Sequence, residues 1–232
     1  MVQSIEFCCT ANAGRSPVAE AIAREHLRKQ NALDMYNAKS SGVYRDAIRN
    51  GVISESDKRK TVDTVLSYAL HDKFLTREEI YKFYDAIRDI NVPNRKEIID
   101  EVFNKTMNKF SREEHAYRTI ALRRLELEGK IKKESEQTIA DPNVIASFGM
   151  EPWHAKAIKE IYRDGNPFPP AVISLGPIIA PLGEYVTGNP NLTIKSTFGG
   201  TKEEYFETIQ VLEMCISPAI DKVINHYESL SI

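Results

Sequence analysis

Cys9 and Arg15 stand near the start of the chain with five residues between them and a serine directly after the arginine, in "CTANAGRSP". Residues of these types at this spacing can hold a tetrahedral oxyanion above a sulfur nucleophile. The small loop residues Thr10, Ala11, Asn12, Ala13 and Gly14 allow successive backbone N–H groups to turn inward as an anion-binding nest. Arg15 offers a bidentate fork to the same anion. A helix opening at Ser16 and Pro17 adds the partial positive charge of its N-terminus. That field favours the thiolate of Cys9 at neutral pH, and a thiolate facing a held phosphate is arranged for in-line attack and a phosphocysteine intermediate. Ser16 is the natural donor to the Cys9 sulfur. Asn12 tolerates a left-handed backbone and can brace the loop with its amide.

The elements that must position these groups follow from pattern. "SIEFCC" is short, apolar and β-prone and stops at turn-forming residues, which predicts a buried strand. From Pro17, suited to a first helical position, Val18, Ala19, Ile22, Ala23 and Leu27 recur at helical spacing with charges opposite. "MYNAKSSG" predicts a second strand ending at Gly42. Neighbouring strand residues point to opposite faces, so if Cys9 serves the loop, Cys8 faces the core as a structural thiol. Cys215, in the last helix, is expected in the core as well.

From Ser54 to Glu136 the chain is charge-rich and helical in period, with its first glycine at Gly129. "TREE" at Thr76 and "SREE" at Ser111 have the form of capping boxes, each predicting a helix start, and Pro93 separates two helices. Residues 54–137 therefore read as a helical insertion of three or four helices, a lid or partner-binding subdomain. Residues 1–53 and 138–232 form an α/β domain. In its second part "PNVIASFG" and "PPAVISLG" predict strands and "MEPWHAKAIKEIY" a helix between them. A Pro- and Gly-rich loop follows, then a final helix capped by Thr201 and Glu204, with an apolar stripe at Phe206, Ile209, Leu212, Ile216, Ile220 and Val223. Pro218 is expected to kink or interrupt it.

Composition narrows the class. The chain has 232 residues, a formal net charge of -2, and no apolar run approaching the length of a membrane span. The N-terminus lacks the apolar core of a secretory leader. Three cysteines, two adjacent, form no disulfide framework, which points to a cytoplasmic protein. The balanced charge argues against nucleic acid as a partner. Basic runs such as "ALRRLELEGKIKK" are interleaved with acids and read as solvated helix faces. The five histidines show no metal spacing, so neither metal nor cofactor is expected. His154, beside Trp153 at a helix start, reads as a packing or capping residue.

"FCCTANAGRSPVAEAI" resembles the signature of the low-molecular-weight protein tyrosine phosphatase family, which includes a related arsenate reductase branch. "AKSSGV" is similar to that family's second strand, "NVIASFGMEPWHAKAI" to its third strand and following helix, and "STFGGTKEEYFETIQVLE" to the approach to its last helix. The resemblance covers residues 1–51 and 140–232. It implies a four-stranded parallel sheet with helices on both faces and the loop at the carboxyl end of the first strand. It further implies Cys9 as nucleophile, Arg15 as phosphate clamp, Asn12 as loop brace and Ser16 as thiolate partner.

The sequence departs from that pattern at the general acid. Ser196 and Thr197 stand where the family carries Asp-Pro, and Gly14 replaces a second loop cysteine common in the phosphatases. Asp141, Glu203, Glu204 or a carboxylate of the insertion are the candidate acids, although Asp141-Pro142 precedes the third strand and reads first as a strand-entry turn. Alternatively the leaving group needs no acid, or the chain binds phosphate and hydrolyses it poorly. General acid catalysis contributes about 10²–10⁴-fold for a poor leaving group, so the question is material. The expectation is a phosphatase acting on a phosphorylated protein or small phosphoester, with a phosphate or sulfate ion fitting the loop. An oxyanion-binding regulator that engages a partner through the insertion is the alternative. Arsenate reduction ranks third, since it usually needs resolving cysteines nearby.

Overall fold

The computed structural model describes residues 2–10, 12–43, 75–129, 136–164, 177–197 and 200–230. Four parallel strands build one sheet: β1 (Gln3–Cys9), β2 (Tyr36–Gly42), β3 (Val144–Gly149) and β4 (Ile178–Pro181), in the order β2-β1-β3-β4. Because all run the same way, their carboxyl ends line one edge. There Cys9 pairs with Gly42, and Cys8 with Gly149.

The pleat sorts β1 between two faces. Ile5, Phe7 and Cys9 join the main apolar core with Val18, Ala19 and Leu27 of α1 (Arg15–Lys29) and Leu212, Ile216 and Ile220 of α6 (Lys202–Ser229). On the other face Cys8 and Val144 pack with Ala157, Ile158 and Tyr162 of α4 (Pro152–Asp164). Helices thus cover both faces of a parallel sheet, as the family resemblance implies.

The expected helix starts fare unevenly. α1 begins at Arg15, before Pro17, with Gly14 at the N-cap. Pro17 then sits in the first turn, where a missing N–H breaks no bond. Thr201 caps α6 through a complete capping box with Glu204, and Thr76 does the same with Glu79 for α2 (Arg77–Arg88). Ser111 starts no helix: it lies inside α3 (Arg95–Arg124). Its neighbours are adequate helix formers on both sides, so the helix continues through it. Pro218 likewise lies within α6 without ending it. Both Pro218 and Met214, whose carbonyl loses its helical partner, are on the exposed side, where water can satisfy that oxygen.

The Pro- and Gly-rich segment expected as loop contains β4 and the short helix α5 (Leu182–Thr187). The strand expected at "PPAVISLG", residues 169–176, lies outside the described residues. Short strands flanked by proline carry little periodicity, which is why β4 escapes the pattern.

The chain divides into two units, Met1–Arg45 with Glu114–Ile232, and Asp46–Glu113. The boundary at 137/138 expected from charge content is therefore too late. It falls inside α3, because Tyr117, Ala121, Leu122, Leu125 and Leu127 pack into the main core. The second unit has its own small core of Leu75, Phe83 and Val102, with Ile80, Ile98 and Ile99 against it. Beside β2 the returning chain pairs with the end it left: Gly42 N–H donates to Glu136 O at 2.8 Å and Thr138 N–H to Gly42 O at 3.0 Å.

Candidate active site

The loop after β1 closes on itself through one hydroxyl. Ser16 Oγ lies 3.0 Å from Cys9 Sγ, donates to Asn12 Oδ1 at 2.9 Å, and lies 3.4 Å from Ser41 O. Asn12 adopts the left-handed conformation expected of it, with φ 55°, and its amide nitrogen donates to Ser40 O at 3.2 Å. This ties the loop to the end of β2. Cys9 is only 3% exposed, and Ser16 is fully buried beside it. A sulfur in such a place depends on its hydroxyl neighbour: a thiolate would take the single Ser16 proton, and a thiol would leave it to Asn12.

Arg15 is also buried. Its Nη1 donates to Glu151 Oε1 at 2.7 Å and to Ile194 O at 2.6 Å. These two contacts fix the plane of the guanidinium while using one nitrogen. Its Nε and Nη2 have no protein partner among the described residues, so two donors of the fork remain for a tetrahedral anion. Glu151 lies just past the carboxyl end of β3, and its Oε2 accepts from Trp153 Nε1 at 3.2 Å. Sequence reasoning missed Glu151. The signal available was its position after a parallel strand, on the edge where the loop sits.

Thr10 is held from α4. His154 accepts from the Glu151 N–H on Nδ1 at 3.0 Å, which leaves Nε2 to carry the proton and donate to Thr10 Oγ1 at 3.1 Å. Burial, then the charge of Arg15, pushes the imidazole down to about 2, so it is neutral. His154 therefore caps and tethers, as expected of it. The turn from β3 into α4 needs Gly149, since an added Cβ would come within 2.6 Å of Ala155 N. Ala13 and Gly14 complete the described loop, each with its carbonyl oxygen bonded from another element. Ala11 lies outside the described residues.

Cys8 does not face the site. Its sulfur lies 3.3 Å from Ser41 Oγ and 3.4 Å from Ser147 Oγ on the reverse face of the sheet. Burial, reinforced by nearby Glu6, pushes that thiol well above its usual range, and burial raises Cys215 too. All three cysteines are free.

Of the expected acids, Asp141 is misplaced. Its carboxylate pairs with Lys39 Nζ at 2.8 Å, and Lys39 is opposite Glu6 in register, on the face away from Cys9 and short of the loop edge. Lys39 and Asn143 hold Asp141 below the usual carboxylate range despite its partial burial, which keeps it ionised rather than poised to donate a proton. Glu204 is committed to the Thr201 cap at 2.7 Å. Glu203 is exposed in the first turn of α6, two positions before the buried Tyr205 whose hydroxyl reaches Gly14 O. Ser196 is exposed and Thr197 buried. Among the described residues no group of three His, Cys, Asp or Glu side chains could hold a metal ion.

Residues 4–72 match the family model described as low molecular weight phosphotyrosine protein phosphatase. No curated protein matches the chain. Among solved structures, a protein tyrosine phosphatase from Entamoeba histolytica is 13% identical, with 97% of this chain and 99% of that one covered and a TM-score of 0.54. The YwlE arginine phosphatase from Geobacillus stearothermophilus is 16% identical, with coverages of 98% and 96% and a TM-score of 0.50. A low molecular weight phosphotyrosine phosphatase from Vibrio cholerae O395 is 12% identical, with 99% of each chain covered and a TM-score of 0.51. The chain is thus similar in fold, over nearly its whole length, to the low-molecular-weight phosphotyrosine phosphatases, and its first strand, loop and helix match that family in sequence.

Proposed function

We propose that the protein is a cysteine-dependent phosphatase of the low-molecular-weight type, acting on a phosphomonoester such as a phosphotyrosine side chain or a small phosphoester. The observation that carries this is the Ser16 Oγ–Cys9 Sγ contact of 3.0 Å in a loop whose next residue back is the clamped Arg15. The Cys9 thiolate attacks phosphorus, forming the S–P bond as the P–O bond to the leaving group breaks, and the leaving oxygen takes a proton. Water then attacks phosphorus while passing a proton to the group that protonated the leaving oxygen, the S–P bond breaks, and phosphate leaves with the thiolate restored and held by Ser16. Arg15, the loop amides and the start of α1 stabilise the equatorial oxygens in both steps.

Glu203, exposed in the first turn of the helix whose Tyr205 reaches the loop, is assigned the proton donation. The assignment predicts that Glu203→Gln slows turnover of an alkyl phosphate far more than that of an activated aryl phosphate, whose leaving group needs little help. Equal effects on both substrates would remove Glu203 from that role. The phosphatase reading itself is tested by Cys9→Ser, which should abolish turnover of every phosphoester. Turnover that survives the substitution would overturn it.

A non-catalytic oxyanion-binding role, with residues 54–137 engaging a partner, is favoured by one feature only, the Ser196 and Thr197 pair where the family carries its acid. Arsenate reduction is disfavoured by Cys8 facing the opposite side of the sheet. The expected cytoplasmic setting is part of the proposal. No helix among the described residues is long and apolar enough to cross a membrane.

A further inference from the structure

A trans peptide points its C=O and N–H in opposite directions, so whatever holds a loop carbonyl on one side aims the next amide to the other. Two successive carbonyls of the Cys9 loop are held this way. Arg118 Nη1 donates to Ala13 O at 2.7 Å, and Tyr205 Oη donates to Gly14 O at 3.4 Å. There are no cis peptide bonds in the described backbone.

We infer that Arg118 and Tyr205 are positioning residues for the oxyanion loop: by drawing the carbonyls of Ala13 and Gly14 outward they turn the N–H groups of Gly14 and Arg15 inward, toward the anion. The inference rests on the phosphate-loop reading above. Neither residue belongs to the loop. Arg118 comes from the last turns of α3, in the part of the chain that the sequence pattern assigned to the insertion, and Tyr205 from the second turn of α6.

The two are built as a unit. Arg118 is 6% exposed and Tyr205 is fully buried. The Tyr205 ring packs on Tyr117 with centroids 5.8 Å apart, and Arg124 stacks over Phe206 at 4.0 Å, so α3 and α6 are locked together behind the loop. Arg118 Nη2 lies 2.8 Å from a ring nitrogen of His115. Burial and then the Arg118 charge hold that imidazole below its usual range, so at neutral pH it has a lone pair to offer the guanidinium. The fork of Arg118 is thereby fixed on both sides, one nitrogen on the loop and the other on its own helix.

The experiment titrates inorganic phosphate into the full chain while following the amide protons of Gly14 and Arg15 by NMR, in wild type, Arg118→Gln, Arg118→Lys and Tyr205→Phe. Losing a charge-assisted bond should weaken phosphate binding by about 10- to 100-fold in Arg118→Gln, with Arg118→Lys recovering part of it. The downfield shift of the Gly14 amide on phosphate binding should shrink in Arg118→Gln, and that of the Arg15 amide in Tyr205→Phe, at unchanged folding. A wild type that binds phosphate and folded variants that bind it equally well, with the same amide shifts, would overturn this inference alone. A wild type that binds no phosphate would overturn the loop reading on which it stands. If Arg118→Gln does not fold, Tyr205→Phe decides: weaker binding with a diminished Arg15 amide shift supports the inference, and unchanged values reject it.

Discussion

Arg15 and Glu151, 136 positions apart in the chain, meet through a single 2.7 Å contact between Nη1 and Oε1. One side chain comes from the start of α1 and the other from the turn after β3, so the ion pair spans the carboxyl edge of the sheet. Ile194 O shares the same nitrogen at 2.6 Å. The fork is thereby oriented by partners that leave its other nitrogens to a ligand.

The consequence for catalysis is direct. Glu151→Gln keeps the shape and an oxygen for Arg15 to donate to but removes the carboxylate's charge from the pair, so kcat/KM should fall by about tenfold. A rise instead would mean that Glu151 competes with substrate for Arg15. Steady-state kinetics on an aryl phosphate distinguish the two.

Ser16→Ala removes the hydroxyl beside Cys9 and leaves the backbone of α1 intact. The loss of one hydrogen bond to a charged sulfur predicts a fall in kcat of about tenfold or more, and slower alkylation of Cys9 by iodoacetamide at mildly acid pH. In the thiol form, where the hydroxyl instead donates to the Asn12 amide oxygen at 2.9 Å, Asn12 should also lose part of its hold on the loop. Unchanged alkylation would separate Ser16 from the thiolate.

His154 gives the fold a pH dependence whose sign is fixed. In the folded chain it stays neutral down to about pH 2, whereas an unfolded imidazole takes a proton near 6.5. As pH falls through 6.5 the unfolded chain binds the proton first, so stability is full above that pH and declines by about 1.4 kcal/mol per unit below it. Denaturant melts at about pH 6.5 and 5 should show a smaller decline in His154→Gln than in wild type. Equal slopes would contradict the burial of a neutral imidazole.

The helix caps separate sequence form from structural fact. Thr201→Ala and Thr76→Ala should each cost about 1 kcal/mol, because each hydroxyl accepts a backbone N–H at 3.2 Å. Ser111→Ala should be neutral or slightly stabilising, since Ser111 lies within α3 and alanine is the better helix former. Chemical denaturation of the three variants tests the contrast.

Much of the site is local and therefore legible. Cys9, Asn12, Arg15 and Ser16 lie within one turn and one helical start, and small residues between an apolar strand and a helix have few other uses. What the sequence conceals is long-range. Glu151, Ile194, Arg118 and Tyr205 reach the loop only through parallel strands and helix packing, which no short pattern encodes. Asp141 misleads for the reverse reason: an Asp-Pro pair suggests the family acid, but register places its partner Lys39 on the other face. Charge content likewise suggested a boundary at 137/138, while the apolar stripe from Tyr117 to Leu127 joins that stretch to the main core.

The most direct test of the account is covalent. Wild-type protein turning over an aryl phosphate is quenched rapidly in acid and the peptide containing Cys9 is examined by mass spectrometry. A phosphoryl group on Cys9 that appears within the first turnover and decays as substrate is exhausted is the expected result. A peptide that never gains the group, from an enzyme that is turning substrate over, would contradict the thiolate mechanism.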